Sequence, residues 1–271
     1  MGATVLIPRD LPSLPLEADG LTPDAVLGRA EREVATLPMH VGNAAAELGE
    51  LFRVKGAGSE EILIEGDVAR VSGIGTGMTR GRIVIEGNAG PHTGARMRGG
   101  ELIVRGDAGD YSGAEMAGGV LRIGGDAGDG VGAAYPGALR GMTNGAILVD
   151  GDAGRSLGAT LRRGTIAVRG SAGDDAGFGM IAGTLVLLGG ARRRPGAGMK
   201  RGSVVLGRDV DLLPTFRYVG IYRLTVLVLL LRALRGTYGF DVEERYLDGR
   251  YRRYSGDFVE LGRGEVWVWN P

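Results

Sequence analysis

The stretch VRGDAGDYSGAEMAGGVLRIGGDAGDGVG, Val104 to Gly132, holds two GDAGD segments, an RGD triplet and a run of glycines. Three kinds of structure use such residues: a backbone cradle for phosphate, a calcium loop, and a tight turn. The rest of the chain decides between them, because the pattern recurs. A glycine follows each short apolar run, at Gly66, Gly87, Gly106, Gly125, Gly151, Gly170, Gly189 and Gly207, most often 19 residues apart. A second glycine stands seven residues after each of the first seven, from Gly73 to Gly196. Then comes a bulky apolar residue (Met78, Met97, Met116, Met142, Leu161, Met180, Met199), with a third glycine three residues beyond it, from Gly81 to Gly202. Fixed periods of this length mark stacked repeating units.

The apolar runs, such as Ile62–Ile64, Ile83–Ile85, Leu102–Val104, Ile147–Val149 and Leu185–Leu187, are β-branched or aliphatic and end in Gly-Asp or Gly-Asn. They predict short strands closed by turns. The Asx residue of each turn (Asp67, Asn88, Asp107, Asp126, Asp152) can accept from its own backbone two residues on. A small residue recurs next (Val68, Ala89, Ala108, Ala127, Ala153, Ala172, Ala191), as a tight inward corner needs. The sum is one turn of a parallel β-helix per repeat. A single coil is not viable: ordering 19 residues costs roughly 20–40 kcal/mol. Each buried aliphatic returns only about 1.5–3 kcal/mol, so the coils must stack to share hydrogen bonds and core.

This repeat accounts for the tempting motifs. GIGTGMTRG (Gly73–Gly81) looks like a dinucleotide loop, but its glycines recur in every repeat and no amphipathic helix follows. The calcium β-roll needs a nine-residue period, which this chain lacks. RGD at Arg105–Asp107 is a strand end plus its turn. Candidate catalytic groups are few. His92 occupies a turn position and reads as exposed; His40 has no partner at metal-ligand spacing. Asp174-Asp175 and Glu60-Glu61 are adjacent carboxylates of the sort that solvent usually holds. An active site in this chain is not expected. The middle residue of each strand (Leu63, Val84, Ile103, Leu148, Ala167, Val186) faces outward, a stripe broken by Arg122. Such a stripe needs cover, from the chain's own flanks or from another protein.

The 271 residues carry 32 basic and 32 acidic side chains, so there is no footprint for nucleic acid. The absence of cysteine excludes disulfides, thiolate nucleophiles and cysteine-held metal clusters. The N-terminal stretch does not read as a signal peptide. The longest apolar run, Leu224–Leu231, is too short to cross a bilayer. A cytoplasmic protein is expected. Three regions follow: an N-terminal extension over 1–56, the repeats over 57–210, and a capping or partner-binding segment over 211–271. In the first, Thr22-Pro23-Asp24 predicts a helix start. In the last, the apolar block reads as a helix or strand sealing the open end of the stack, and the tail as a hairpin with an Asp-Gly turn. Trp267 and Trp269 read as partner anchors or as core. The fourth repeat has ten residues, Ala133 to Met142, where the others have three to five. Tyr135, Pro136, Leu139 and Arg140 make this insertion a candidate interface knob or a neutral bulge, and deleting Ala134–Arg140 restores the common length with the fold expected to survive.

The glycine-delimited coils with GDAGD turns, the stretch Gly73–Gly77 and the lead-in VGNAAAELGELFRVKG (Val41–Gly56) resemble the C subunits of formylmethanofuran dehydrogenases and of the bacterial formyltransferase/hydrolase complexes. The coils are also similar to the C-terminal domain of the glutamate synthase large subunit. The resemblance covers roughly residues 40–210. It implies an all-β chain: a right-handed, single-stranded parallel β-helix of about seven to eight coils with small flanking segments. It further implies a noncatalytic structural subunit of a complex that converts formyl-tetrahydromethanopterin to formate through a methanofuran-type carrier in one-carbon metabolism. An amidohydrolase-like subunit, a formyltransferase and a further structural subunit are the implied partners, with carrier, tetrahydromethanopterin and zinc held by them. No catalytic, cofactor or metal residue carries over to this chain. The arginine-rich, lysine-poor composition favours the bacterial complex over the C subunit of a molybdenum or tungsten formylmethanofuran dehydrogenase; a stand-alone ligand-binding β-helix is the other alternative.

Overall fold

The computed structural model describes residues 2–223 and 225–271; Met1 and Leu224, the first residue of the apolar block, lie outside the described residues. The chain is mainly β. It opens with β1 (Thr4–Pro8), β2 (Leu16–Glu17), α1 (Pro23–Val26), α2 (Glu31–Ala35), β3 (Pro38–Val41), β4 (Ala44–Glu47), α3 (Leu48–Leu51) and β5 (Phe52–Lys55). The repeats supply β6 (Glu61–Ile64), β7 (Val71–Ser72), β8 (Arg82–Ile85), β9 (Arg98–Val104), β10 (Gly118–Ile123), β11 (Ala146–Val149), β12 (Thr165–Val168), β13 (Thr184–Leu187) and β14 (Arg201–Leu206). The chain closes with β15 (Arg217–Tyr222), α4 (Thr225–Tyr238), α5 (Glu244–Asp248), β16 (Arg250–Gly256) and β17 (Arg263–Asn270). As expected, Thr22 caps α1, its hydroxyl accepting from the Ala25 N–H at 3.2 Å.

From β6 to β14 the apolar runs pair in parallel, each with the next repeat along the chain, β7 excepted. Ile83 lies beside Leu102, and Ile85 beside Val104. A second ladder links the small residues, Val68 to Ala89, Ala108, Ala127, Ala153, Ala172 and Ala191. A third uses the second glycine column: the N–H groups of Gly94, Gly113, Gly132, Gly158, Gly177 and Gly196 donate to carbonyls one coil back, at 2.7–3.0 Å. Backbone groups of one coil are thus met by its neighbours on three sides, as buried peptide groups require. The inward aliphatics and the Met78–Met199 column fill one core inside the stack.

The turn carboxylates do not work as expected. Only Asp67 accepts from the N–H two residues on, that of Ala69. Instead, Oδ1 of Asn88, Asp107, Asp126 and Asp152 each accepts from a backbone N–H in the following coil, at 2.7–2.8 Å. Asn88 also donates to Asp67 at 2.7 Å. These residues staple coils together rather than close their own turns.

The ends and the outer face are covered by the flanks. At one end β1 pairs in parallel with β6 and antiparallel with β5. At the other, β17 adds a parallel strand to β14, and β16 and β15 follow antiparallel. The apolar block therefore does not seal the open end: α4 lies across the outer stripe. Leu227, Leu231 and Leu234, at helical spacing, share a second core with Leu148, Ala167, Val186, Val205 and Trp267. Arg122, the break in the stripe, donates to the carbonyl of Tyr238 at the end of α4 and pairs with Glu101 at 2.9 Å. Val84 and Ile103 lie beyond the helix on the same face, beside a chain of ion pairs from Glu61 through Arg82 and Glu101 to Arg122. The expected Asp-Gly hairpin turn is also corrected. Asp248-Gly249 leaves α5, and the turn between β16 and β17 is Asp257–Gly262. Burial works to raise the Asp257 carboxyl, but the N–H groups of Val259 and Gly198, each at 3.0 Å, hold it below its ordinary range. Among the described residues, no helix is long and apolar enough to cross a membrane.

Candidate functional site

In six successive coils the position five residues after the first turn glycine is among those that bend the chain into the left-handed region. Its occupants are His92, Tyr111, Gly130, Ser156, Asp175 and Arg194, with φ between 52° and 71°. Non-glycine residues are tolerated there because, Arg194 apart, the N–H is tied to a carbonyl of the next coil, as His92 is to Asp110 and Tyr111 to Asp129. Residues at this position stack from coil to coil, so the His92 and Tyr111 rings lie parallel, 5.7 Å apart. Glycine ends this ring column, because the Tyr111 ring lies across Gly130, within 2.9 Å of where a Cβ would stand.

The insertion of the fourth repeat supplies the next ring. Tyr135 stacks on Tyr111 at 5.3 Å, and its hydroxyl reaches Nδ1 of His92 at 2.8 Å. The Arg96 guanidinium covers the Tyr135 ring and pairs with Glu115, which accepts from the Tyr135 N–H at 3.3 Å. Burial pushes the Tyr135 phenol above its ordinary range, against the pull of the Arg96 charge. The phenol is thus neutral at physiological pH and free to act as donor. His92 is half-buried in this stack, not the exposed turn residue the sequence suggests.

The insertion therefore has two parts. Tyr135 is clamped into the stack, whereas Pro136, Leu139 and Arg140 stand in solvent, Leu139 with 84% of its surface exposed. Deleting Ala134–Arg140 would also remove the capping Tyr135 ring, so the shortened chain is expected to fold with reduced stability. Tyr135→Ala is expected to cost about 1–2 kcal/mol, and Leu139→Ala to leave the melting temperature unchanged. Thermal unfolding of both variants checks this division.

The other sequence candidates are dispersed. Trp267 is 5% exposed beneath α4, which leaves it no face for a partner. Trp269 is half-buried, edge-on to Tyr246 at 5.5 Å, with the Arg245 guanidinium over both rings. The pair of tryptophans holds the chain's own α4–α5 segment. His40 is exposed on β3. Asp175 and Arg194 form a bidentate pair between coils, Asp174 faces Arg192 at 4.0 Å, and Glu61 pairs with Arg82. These carboxylates are linked to arginines rather than poised for proton transfer. Among the described residues, no three histidine, aspartate or glutamate side chains gather as a metal would need. Apolar side chains remain open at the insertion tip, on the edge strand β15 with Tyr218, Val219 and Ile221, on the outer side of α4, and in the turn between β16 and β17 with Phe258, Val259 and Leu261.

Comparison with known proteins adds to this geometry. No protein-family model matches the chain. It is 48% identical over 266 residues to the C subunit of the formyltransferase/hydrolase complex Fhc of Methylorubrum extorquens, covering 98% of this chain and 99% of that protein. It superposes with a TM-score of 0.91 and 37% identity on a chain in the crystal structure of the formyltransferase/hydrolase complex (FhcABCD) from Methylorubrum extorquens in complex with methylofuran, covering 98% of this chain and 100% of that one. A third similarity is to the C subunit of the tungsten-containing formylmethanofuran dehydrogenase 2 of Methanothermobacter marburgensis, 36% identical over 100 residues. That match spans 35% of this chain and 37% of the dehydrogenase protein.

Proposed function

The chain belongs to the family of formyltransferase/hydrolase complex C subunits, related to the C subunits of formylmethanofuran dehydrogenases, and from this premise we propose that it is a noncatalytic structural subunit of such a complex. In this reading the assembly converts formyl-tetrahydromethanopterin to formate through a methanofuran-type carrier in one-carbon metabolism. The observation that carries it is likeness over the whole length. The match extends across the flanks as well as the repeats, so it does not rest on the glycine pattern alone. The dehydrogenase reading has less support, because the match there stops at about a third of either chain.

We read the stack as one right-handed, single-stranded parallel β-helix of seven to eight coils. The three in-register ladders support this. Residues 1–56 and 211–271 then act as its end pieces and side cover, around coils spanning 57–210. In this reading carrier, tetrahydromethanopterin and zinc are assigned to the partner subunits. No catalytic step is routed through this chain, and a cytoplasmic location goes with the reading. Coexpression with the neighbouring genes tests it. The chain should copurify in fixed proportion with larger subunits that deformylate the carrier, and should show no turnover alone. A chain that remains free of them, or that hydrolyses the substrate by itself, overturns it.

A further inference from the structure

Several arginines of the coils are matched by a carboxylate one coil away. Arg82 lies 3.2 Å from Glu61 and 3.3 Å from Glu101, Arg96 is 2.9 Å from Glu115, and Arg194 is 2.6 Å from Asp175. One corner gathers cations that have no such partner. Arg162 and Arg163 follow the core residue Leu161, and Lys200 and Arg201 follow Met199 two coils later. The coil between them offers Ile181 and Ala182 at the same positions, so no carboxylate stands between the two basic pairs. Two coil spacings put the pairs about 10 Å apart. Arg201 is moreover directly opposite Arg263 on β17, a like-charge pair across neighbouring strands, and such pairs are destabilising. Among the described residues, no carboxylate lies within 4.0 Å of any of these five cations, and what sets the corner apart is that they stand together, Arg162, Arg163, Lys200 and Arg201 around one cavity and Arg263 beside Arg201.

The corner is also concave. A cavity of about 240 Å³ opens between the two basic pairs, floored by Ile181 and Ala182 and edged by Leu261. Leu261 and Val259, in the turn before β17, are 54% and 76% exposed, and Phe258 beside them carries the Arg217 guanidinium on its ring. With 32 basic and 32 acidic residues, the chain as a whole has no reason to concentrate positive charge here. Folding alone gains nothing from five crowded cations. A carboxylate-bearing partner converts their repulsion into charge-assisted hydrogen bonds, two per guanidinium where the geometry is forked.

We propose that this corner is a docking surface for an acidic segment of a partner subunit, whose carboxylates pair with Arg162, Arg163, Lys200, Arg201 and Arg263 while an apolar side chain rests on Leu261 and Val259. The proposal rests on the reading of the chain as a subunit of a larger assembly. A protein segment fits better than nucleic acid: the basic patch is only two coils tall and apolar-edged, whereas a nucleic-acid backbone calls for an extended basic stripe.

Lysine usage makes the test clean, because Lys55 and Lys200 are the only lysines of the chain. The purified complex is treated with a carbodiimide, which joins an amine to a carboxylate only where they touch, and the peptide holding Lys200 is mapped by mass spectrometry. The expected result is a link from Lys200 to an aspartate or glutamate of another subunit. In parallel, a variant with Arg162, Arg163, Arg201 and Arg263 changed to glutamine should melt at or above the parent temperature. Its capture by the other subunits should be roughly ten-fold weaker at low salt, with the difference shrinking as salt is raised. Absence of any link from Lys200 to another subunit, with the variant captured as tightly as the parent, overturns the proposal. So does loss of binding to a single-stranded oligonucleotide with assembly unchanged. Should the variant misfold, the link from Lys200 in the unaltered complex decides alone. A parent chain that is not captured at all defeats the subunit reading itself, a separate result from a captured chain with no link at Lys200.

Discussion

Val104→Asp is expected to abolish the cooperative unfolding transition of this chain under conditions where the parent is fully folded. Val104 is fully buried on β9, between Ile85 of the previous coil and Ile123 of the next. Its side chain points into a core of aliphatic and methionine side chains that offers no hydrogen-bond partner. A carboxylate there must ionise unpaired or bind a proton and remain unsatisfied, a cost of several kcal/mol in either state. The stack raises the effect further. Each coil is stable only through its neighbours, so a coil that opens withdraws hydrogen bonds from both sides. A loss above about 4 kcal/mol is expected, read by circular dichroism during thermal and urea unfolding. Ile103→Asp, one residue earlier, supplies the contrast. Residue 103 faces outward and lies beside Arg122 on β10, where a new carboxylate meets a guanidinium. No more than about 2 kcal/mol should be lost there. Equal losses at 103 and 104 would sink the two-faced reading of the strand.

That reading is legible in the sequence because strand alternation and the 19-residue period are local facts repeated many times. What the sequence hides are contacts between coils whose residue types fit two geometries equally. The Asx side chain after each turn glycine can accept from its own loop or from the next coil. Both donors suit the same oxygen, and only the close stacking of the turns makes the intercoil bond win. His92 and Tyr111 share one position of the repeat, so aligning the coils is enough to find their stacking. Tyr135 is different, because the insertion takes it out of register before bringing it back against the same column. The run Leu224–Leu231 is apolar at nearly every position, which masks the helical spacing of Leu227, Leu231 and Leu234. Arg122 is the available clue. A lone arginine in an apolar stripe marks where the helix ends, its carbonyl answered by a guanidinium. The basic corner is hidden because arginine is common along the whole chain, and only the structure separates paired from unpaired cations.

Gly119→Ala should be nearly as damaging as a buried charge, although it adds a single methyl group. The third glycine column runs from Gly81 to Gly202, with φ between 75° and 97° throughout. A side chain in that region already costs about 1–2 kcal/mol. At Gly119 the added Cβ would also stand 2.7 Å from the carbonyl oxygen of Gly100 and 2.7 Å from Cε of Met97, one coil below. The methionine end can turn aside, but the carbonyl oxygen is backbone and moves only with its coil, whose spacing is fixed by the ladders on the other sides. Relief at Gly119 therefore requires that two coils separate, and the loss should reach about 3–5 kcal/mol. Gly236→Ala gives the opposite sign. Gly236 lies in α4 with nothing within 4 Å of its added Cβ, so alanine meets open space. There the gain should be about 0.5–1 kcal/mol from helix propensity and a less flexible unfolded chain. The two melting curves should move in opposite directions. If Gly119→Ala unfolded at the parent temperature, the coils would have to be farther apart than a Cα-to-carbonyl contact allows, and glycine would be a matter of composition rather than of fit.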